Sequence, residues 1–422
     1  SSDFIVVYFL NIFLILIFKN IIAQDNLPKQ LSLSDAERIA KENNTVFKKG
    51  LSKIEFAEGK YLSGVSPQMP EVSLSYDFVP NGTGLGNYEE RSIEVNQNIE
   101  FPLKTIYKGE HLNSGIDLIK AENELDGLNV LTEVRKAYIT ILEKKSLIKI
   151  AEENYDVAND FKSKSTIRFN LGEATNLEKL TSEVQYAQAI NNLEVLKNQY
   201  KIALHDLLLN IGISVENTNY NPELTDSLYY QPFNENIESV VTKTLNYSPT
   251  LMLYKLKKSA SHINKKIAVS SYLPDFRVGY KSQSINGVND YYGINLGISV
   301  PLWFMFDQKG KVKEADAEIK ISETEFESVN LNVISSVNKA FLNLKNSEKQ
   351  LLLFTSTLSP EAEEIFRVAN ATFKTGEISY LEFLQAKQTM ISIKESYITA
   401  LKDYNLNLIE LEKVIGKKLY KN

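Results

Sequence analysis

Four stretches of the chain alternate apolar and polar residues with a period of two, which is typical of β-strands. They span about residues 71–79, 91–101, 275–283 and 291–300, so each is nine to eleven residues long. That is the length a tilted strand needs to cross a membrane. Two hairpins packed on a soluble core would give the same alternation, but no other amphipathic segment is evident that would cover their apolar faces. The pattern therefore favours membrane strands.

Between and after the strand pairs, the chain has the composition of very long helices. They are predicted over about residues 104–169, 174–211, 307–373 and 378–415. The first contains no proline, and the third contains only Pro360. At 1.5 Å rise per residue, sixty helical residues extend for about 90 Å, which no compact domain accommodates. In the last stretch, apolar residues from Tyr397 to Ile415 recur in steps of four and three, the spacing of a coiled-coil seam.

A proline follows the second strand of each pair. Pro102 lies in Phe-Pro-Leu and Pro301 in Val-Pro-Leu. Because proline lacks the N–H that a β-ladder requires, it ends the strand and redirects the chain. Pro102 and Pro301 are therefore predicted to be the strand-to-helix transitions.

These elements occur twice, because the chain contains an internal repeat with a spacing of 204 residues. Phe169 to Glu173 matches Phe373 to Glu377, and Ile211-Gly212 matches Ile415-Gly416. The first repeat covers about residues 31–220 and the second about 235–418, with a linker at 221–234. Each predicts a short helix, a strand hairpin, a very long helix, a glycine turn and a second long helix. Ser34, with Glu37 three residues later, predicts the N-cap of the first short helix.

The first 23 residues differ from the rest. Phe4 to Phe18 contains a single polar residue, Asn11. This run has the length of the apolar core of a secretory signal peptide, and cleavage is expected after Ala23. The alternative is a membrane helix at the end of a fused upstream transporter.

Four membrane strands cannot close by themselves. Open sheet edges cannot face lipid, since unpaired backbone groups there cost several kcal/mol each. Barrels made from one chain have eight or more strands. The sequence therefore predicts a barrel shared between copies, in which two copies supply eight strands and three supply twelve.

Composition excludes several classes of function. There is no cysteine, which removes disulfide scaffolds, thiolate metal sites and cysteine nucleophiles. The net charge of −6 argues against a nucleic-acid partner. Gly82-x-Gly84-x-Gly86 precedes no helix and is interpreted as a hairpin loop rather than a dinucleotide site. No catalytic residue, metal ligand or cofactor is predicted.

Taken together, the two hairpins ending in proline, the helix–glycine–helix units and the duplication resemble the TolC-like outer-membrane efflux protein family. Residues 373–389, with an aromatic-x-x-Gly followed by a Leu-acid-x-Leu-x-Ala pattern, carry the most specific part. The resemblance implies a mainly α fold in which long-helix hairpins form an α-barrel. It also implies that four strands per chain contribute to a trimeric β-barrel in the outer membrane, with the helices in the periplasm.

The same resemblance implies partners and sites. The expected partners are two further copies in a homotrimer, a periplasmic adaptor (membrane fusion) protein, an inner-membrane transporter of the RND or another type, and outer-membrane lipid. The tip residues expected to dock the adaptor are Phe169, Gly172, Phe373 and Gly376. The candidates for a pore constriction are Glu178, Glu382 and Gln385. Gln385 departs from the acidic residue that the family often has, and Glu382 has the alternative interpretation of a solvated charge on a helix face.

Two further questions stay open at the level of sequence. A periplasmic coiled-coil adaptor or scaffold without a pore would show the same helical seam, although an adaptor is expected to have one helical hairpin rather than two. The cargo is also open, because drug, metal and protein export systems share this kind of duct. The four methionines form no metal-binding tract.

Overall fold

The computed structural model describes residues 28–214 and 220–419, so the predicted signal segment at 1–23 lies outside the described residues. The strands are β1 (Gln30–Leu31), β2 (Glu71–Asp77), β3 (Glu90–Ile99), β4 (Glu223–Leu224), β5 (Asp275–Ile285) and β6 (Val288–Ser299). The helices are α1 (Leu33–Asn43), α2 (Thr45–Val65), α3 (Pro102–Asn170), α4 (Asn176–Asn210), α5 (Ile237–Tyr247), α6 (Pro249–Ser270), α7 (Asp307–Leu353), α8 (Ser359–Lys374) and α9 (Tyr380–Ile415).

The residues form two compact units. The first contains the described part of Ser1–Thr45 together with Asn129–Glu235 and Ala340–Lys413, and the second contains Val46–Leu128, Asn236–Lys339 and the described part of Val414–Asn422. The long helix α3 has 69 residues, which corresponds to about 100 Å. None of the described helices is both long and apolar enough to span a membrane.

Each repeat begins with two short helices, where the sequence pattern predicted one. The break between α1 and α2 lies at Asn44, and the break between α5 and α6 lies at the equivalent Ser248. Both residues are extended, with ψ of 133° and 117°. At the second break Pro249 occupies the first helical position, and it disfavours a helical conformation at the preceding residue. The prediction of one short helix at the start of each repeat was therefore wrong, because each repeat has two.

The N-cap of α1 is Ser32 rather than the predicted Ser34. The Ser32 hydroxyl accepts from the Asp35 N–H at 3.1 Å, and the Asp35 carboxylate accepts from the Ser32 N–H at 3.3 Å. This capping box also holds the pKa of Asp35 below its ordinary value, chiefly through the Ser32 side chain. Glu37, the acid expected in the box, is instead buried against the guanidinium of Arg135.

Two hydrogen-bonded strand pairs, one from each repeat, join in a single antiparallel sheet of the second unit. Its strand order is β2-β3-β5-β6, so β3 of the first repeat pairs with β5 of the second. Strands β5 and β6 are connected by Asn286 and Gly287, whose φ values of 49° and 82° suit a two-residue type I′ turn. Strands β5 and β6 therefore extend to Ile285 and from Val288, closer to the turn than the alternating pattern of apolar and polar residues predicted.

The register of the sheet separates apolar from polar residues. Val72, Val95, Tyr280 and Ile294 are paired successively across the four strands and share one face. The neighbouring row, on the opposite face, contains Ser73, Glu94, Lys281 and Gly293. The apolar face is exposed on this chain, with Val72 67% and Ile294 68% exposed.

The hydrophobic core of the first unit surrounds the paired short strands β1 and β4. Leu31 and Leu224 are paired in this ladder and buried. The hydroxyl of Tyr138 on α3 donates to the Leu31 carbonyl at 2.8 Å and lies 2.7 Å from a carboxylate oxygen of Asp226. Burial, together with the Asp226 carboxylate, raises the pKa of Tyr138. The linker between the repeats is thus fixed to the core of this unit.

A π-helical segment, Phe354–Leu358, separates α7 from α8 and interrupts the continuous helix predicted at 307–373. Buried residues before it are offset by 203 residues between the repeats, as for Val134 and Val337. After it the offset is 204, as for Ala158 and Ala362. A π-bulge is an α-helix with one inserted residue. The second repeat therefore contains one extra residue in this helix, and the π segment absorbs it.

Candidate functional site

Tight turns join the long helices of each repeat at Gly172 and Gly376. Their φ values are 78° and 80°, in the left-handed region that glycine adopts without strain. The Glu173 N–H donates to the carbonyl five residues earlier at 2.8 Å, and the Glu377 N–H does the same at 2.9 Å. These bonds complete Schellman motifs at the ends of the helices. The left-handed backbone conformation thus explains why both positions are glycine, and the role of these glycines in docking an adaptor stays a prediction.

The aromatic residues at the two turns lie in different surroundings. Phe373 stacks on Phe383 with ring centroids 4.9 Å apart and also contacts Tyr380. Phe169 instead lies under the ammonium group of Lys179, at 5.1 Å from the ring centroid. The tip of the second repeat therefore has an aromatic cluster, whereas Phe169 at the tip of the first contacts a cation.

Beside both turns the structure also exposes leucines that were not among the predicted site residues. Leu177 is 75% exposed and the equivalent Leu381 is 70% exposed. Leu171 at the first turn is 68% exposed. Leu177 and Leu381 are 204 residues apart and thus equivalent in the repeat, but periodicity alone does not distinguish an exposed leucine from a buried one at a helix start.

The acidic constriction candidates have local partners. The Glu178 carboxylate accepts from Arg168 at 3.0 Å. The Glu382 carboxylate accepts from the backbone N–H of Ser379 at 2.7 Å and from its hydroxyl at 2.8 Å. The backbone bond first, and then the hydroxyl, hold the pKa of Glu382 below its ordinary value. Glu382 is therefore ionised at neutral pH and caps the start of α9.

Gln385, the third constriction candidate, lies one turn further along α9. It contributes to the wall of a cavity between α3, α4 and α9 of the first unit. The structure thus brings Gln385 into contact with a cavity, while Glu382 remains exposed at the cap of the helix.

The two transition prolines differ in position. Pro102 opens α3 directly, three residues after the end of β3. Asp275, the first residue of β5, accepts from the Phe101 N–H at 3.1 Å and from the Lys104 ammonium at 2.8 Å. Pro301 is followed by a turn over 302–306 before α7 begins at Asp307. Pro102 is thus the first residue of its helix, whereas Pro301 lies in the connection between β6 and α7.

The described part of the chain contains no group of three or more His, Cys, Asp or Glu residues placed to hold a metal ion.

Most of the second repeat matches a known protein family. Residues 240–417 match the family model "Outer membrane efflux protein". Among curated proteins, the chain is similar to the cobalt-zinc-cadmium resistance protein CzcC of Cupriavidus metallidurans. The two are 19% identical over 295 residues, which is 68% of each chain.

Solved outer-membrane channels share the fold. The Campylobacter jejuni CmeC outer membrane channel superimposes with a TM-score of 0.75 at 14% identity, over 92% of this chain and 87% of CmeC. The outer membrane protein VceC from Vibrio cholerae gives a TM-score of 0.74 at 12% identity, over 92% of this chain and 97% of VceC. The predicted resemblance to TolC-like proteins and the predicted mainly helical fold class are confirmed.

Proposed function

We propose that this chain, a TolC-like protein with an outer membrane efflux protein domain, is one protomer of the outer-membrane channel of a tripartite efflux or export system. It is a passive exit duct for substrates that an inner-membrane transporter delivers through a periplasmic adaptor. The chain is located in the outer membrane and extends into the periplasm. The single observation that carries the proposal is the four-stranded sheet, with its exposed apolar face, its polar opposite face and its open edges.

The two faces of the sheet match the two environments of a membrane channel. Apolar side chains such as Val72, Tyr280 and Ile294 suit contact with lipid, whereas Glu94 and Lys281 on the other face suit water. An alternating sheet of a water-soluble scaffold would bury its apolar face against other elements. Here these side chains are exposed.

The edges of the sheet account for the oligomer. Strands β2 and β6 are the outer strands, and within the described residues neither is paired along its outer edge. Such edges are not tolerated in lipid. Three copies, joined edge to edge between β2 of one and β6 of the next, close a twelve-stranded barrel whose polar face surrounds a water-filled lumen. The homotrimer is thus the functional unit.

The tip turns are the surface that contacts the periplasmic adaptor. Phe169, Gly172, Phe373 and Gly376 shape the two turns. The exposed leucines beside them supply apolar area for a partner, which agrees with the depletion of charge at the centre of protein interfaces.

The constriction lies beside these turns, and Glu382 is its first residue. An ionised carboxylate from each of three copies forms a ring that attracts cations and repels anions in a narrow pore. Glu178 contributes less net charge to this ring, because Arg168 pairs with it. Gln385 contributes no charge.

The chain acts without catalysis or a cofactor. Residues 240–417 match a family model of outer membrane efflux proteins, and in this proposal the energy for transport comes from the inner-membrane partner. The repeated helical hairpins agree with a channel rather than with an adaptor that has one hairpin between β-rich halves.

The test is to purify the protein in detergent and to measure its oligomeric state and conductance. We expect a trimer that survives on a gel without heating and dissociates when boiled, and stepwise ion currents in planar lipid bilayers. The boiled sample, without currents, is the control. A folded monomer without conductance would contradict the proposal.

A further inference from the structure

A cavity of about 410 Å³ lies between α3, α4 and α9 in the first unit. This volume is in the range of small-molecule sites. Its walls combine aromatic and apolar side chains, among them Phe161 and Phe383, with uncharged polar ones, among them Gln185 and Gln388. Small-molecule sites likewise combine apolar and aromatic walls with polar groups that fix the orientation of the ligand.

Lys387 is the charged side chain in this wall. It is only 7% exposed, and within the described residues its ammonium group has no carboxylate or hydrogen-bond acceptor. Burial lowers the pKa of Lys387 to about 8. Such an amine is unfavourable, because its charge has lost much of its hydration and no carboxylate compensates for the loss.

The first repeat does not contain this feature. The residue equivalent to Lys387 is Glu183, whose carboxylate lies 4.0 Å from the Lys179 ammonium group on its own helix, in a half-buried pair. The buried lysine is therefore specific to the second repeat and does not follow from the duplicated helix pattern.

Tyr380 supplies a second polar group without a partner. Its hydroxyl is buried and makes no hydrogen bond within the described part of the chain. Its ring is stacked on Phe161, with centroids 3.6 Å apart and planes 4° from parallel. Burial first, and then the negative charge of Glu178, raise the pKa of Tyr380, so its hydroxyl remains protonated and can donate. Glu178 itself is paired with Arg168 at 3.0 Å.

The wall thus offers one ammonium and one hydroxyl donor beside flat aromatic rings, and none of its lining residues is acidic. An anion would give Lys387 its missing counter-charge, and a planar apolar body would fill the space along Phe161 and Phe383. A small inorganic anion would satisfy the charge alone and would leave the apolar wall in contact with water.

We propose that this cavity is a binding site for small aromatic organic anions, whose carboxylate or sulfonate pairs with Lys387 while the ring system packs against Phe161 and Phe383. The site goes beyond the proposed duct function, since a passive channel requires no ligand. Its walls come from both repeats, so a bound molecule contacts both helices that flank the first tip turn and the helix that follows the second.

The experiment is isothermal titration calorimetry on the purified trimer in detergent, with 1-naphthoate as the probe. Its neutral analogue 1-naphthylmethanol has the same ring system without the charge. We expect saturable binding of one naphthoate per protomer, at least tenfold tighter than that of the alcohol. Equal affinities for the two compounds, or no saturable heat, would overturn the proposal.

The variant Lys387→Met keeps an unbranched side chain, one heavy atom shorter, and removes its charge. We expect it to weaken naphthoate binding at least tenfold and to leave the binding of the alcohol unchanged. The matched control is Lys164→Met on α3, where the lysine is exposed and paired with Asp160. Unchanged naphthoate affinity in Lys387→Met, or an equal loss in Lys164→Met, would contradict the assignment.

The unmodified protein provides an independent measurement should Lys387→Met not assemble. Naphthoate remains ionised throughout the range from pH 6 to 10, while Lys387 loses its proton. Affinity should therefore be constant below about pH 7 and should fall about tenfold per pH unit once the pH exceeds the pKa of the free site. A flat profile would exclude Lys387 as the partner of the anion. Because trimer assembly and conductance are measured separately, failure of binding leaves the channel proposal intact.

Discussion

Equivalent residues of the two repeats have acquired different contacts. Glu178 and Glu382 are 204 residues apart, yet the first pairs with Arg168 and the second caps α9 through Ser379. Glu183 and Lys387 have opposite charges at another equivalent pair of positions. The duplication therefore conserves the helices and turns, whereas the chemistry at single residues is specific to each repeat.

The variant Glu382→Gln isolates the charge of the proposed constriction. Glutamine can accept from the Ser379 N–H as glutamate does, so the capping interaction is retained. We expect the preference for cations over anions to fall, measured as the reversal potential in a KCl gradient across a planar bilayer. The thermal stability of the trimer should change by less than about 0.5 kcal/mol, as for most surface substitutions.

The control for this variant is Glu325→Gln, which makes the same charge change on α7 in the second compact unit, whereas both tip turns belong to the first. It should leave the reversal potential as it is in the unmodified channel. If Glu382→Gln also leaves the reversal potential unchanged, Glu382 is a solvated helix-capping charge and not part of the constriction.

At the scale of elements, the π segment explains how two unequal helices keep the same faces. Without it, the extra residue in the second repeat would rotate all following side chains by about 100° around the helix axis. Ala362 and Ala369 would then leave the buried side that Ala158 and Ser165 occupy in the first repeat. The π segment confines the insertion to exposed and half-buried residues.

Deletion of Thr357 should therefore be tolerated. It removes the extra residue and converts the segment into continuous α-helix with the spacing of the first repeat. We expect the heat-dissociable trimer to form in amounts close to those of the unmodified protein, measured on unheated gels.

The matched control is deletion of Glu153, the equivalent residue of α3, where no π segment exists within the described helix. This deletion turns Ala158 and Ser165 away from their buried side and should abolish the trimer. Equal loss of the trimer in both deletions would refute the interpretation of the π segment as an absorbed insertion.

At the scale of the whole molecule, the apolar face of the four-stranded sheet is the feature that would place the protein in the outer membrane. Ile294 and Asn295 are neighbours on β6 and point to opposite faces. Ile294→Arg places a charge on the proposed lipid face, at roughly 2–4 kcal/mol near the membrane midplane. We expect it to reduce the amount of trimer in the outer-membrane fraction severalfold.

Asn295→Arg is the control, because it adds the same side chain to the proposed lumen face. It should preserve the trimer in the outer membrane and alter only its conductance. If both variants were equally abundant in the outer membrane, the assignment of the apolar face to lipid would be wrong.

Much of this organisation is readable from the order of residues. The period of two in the strands separates apolar from polar faces because side chains alternate along any β-strand. The repeat, the turns at Gly172 and Gly376 and the breaks at Pro102 and Pro301 depend on backbone properties of single residues. Such local rules hold wherever the chain folds, so the sequence alone predicts strands, long helices and turns.

The remaining features depend on which segments meet. Only the tertiary structure decided that β3 pairs with β5. The hydrogen bonds between strands are made by the backbone, so the sequence of a strand does not specify its partner. It also decided that Ser32 rather than Ser34 caps α1, because the Glu37 carboxylate pairs with Arg135 and does not take part in a capping box. The burial of Lys387 in a cavity was likewise decided by the tertiary structure. Helical periodicity places a lysine on a face but does not say what packs against that face. Sequence determined the elements and their two-sided character, and tertiary packing determined which charged groups have partners.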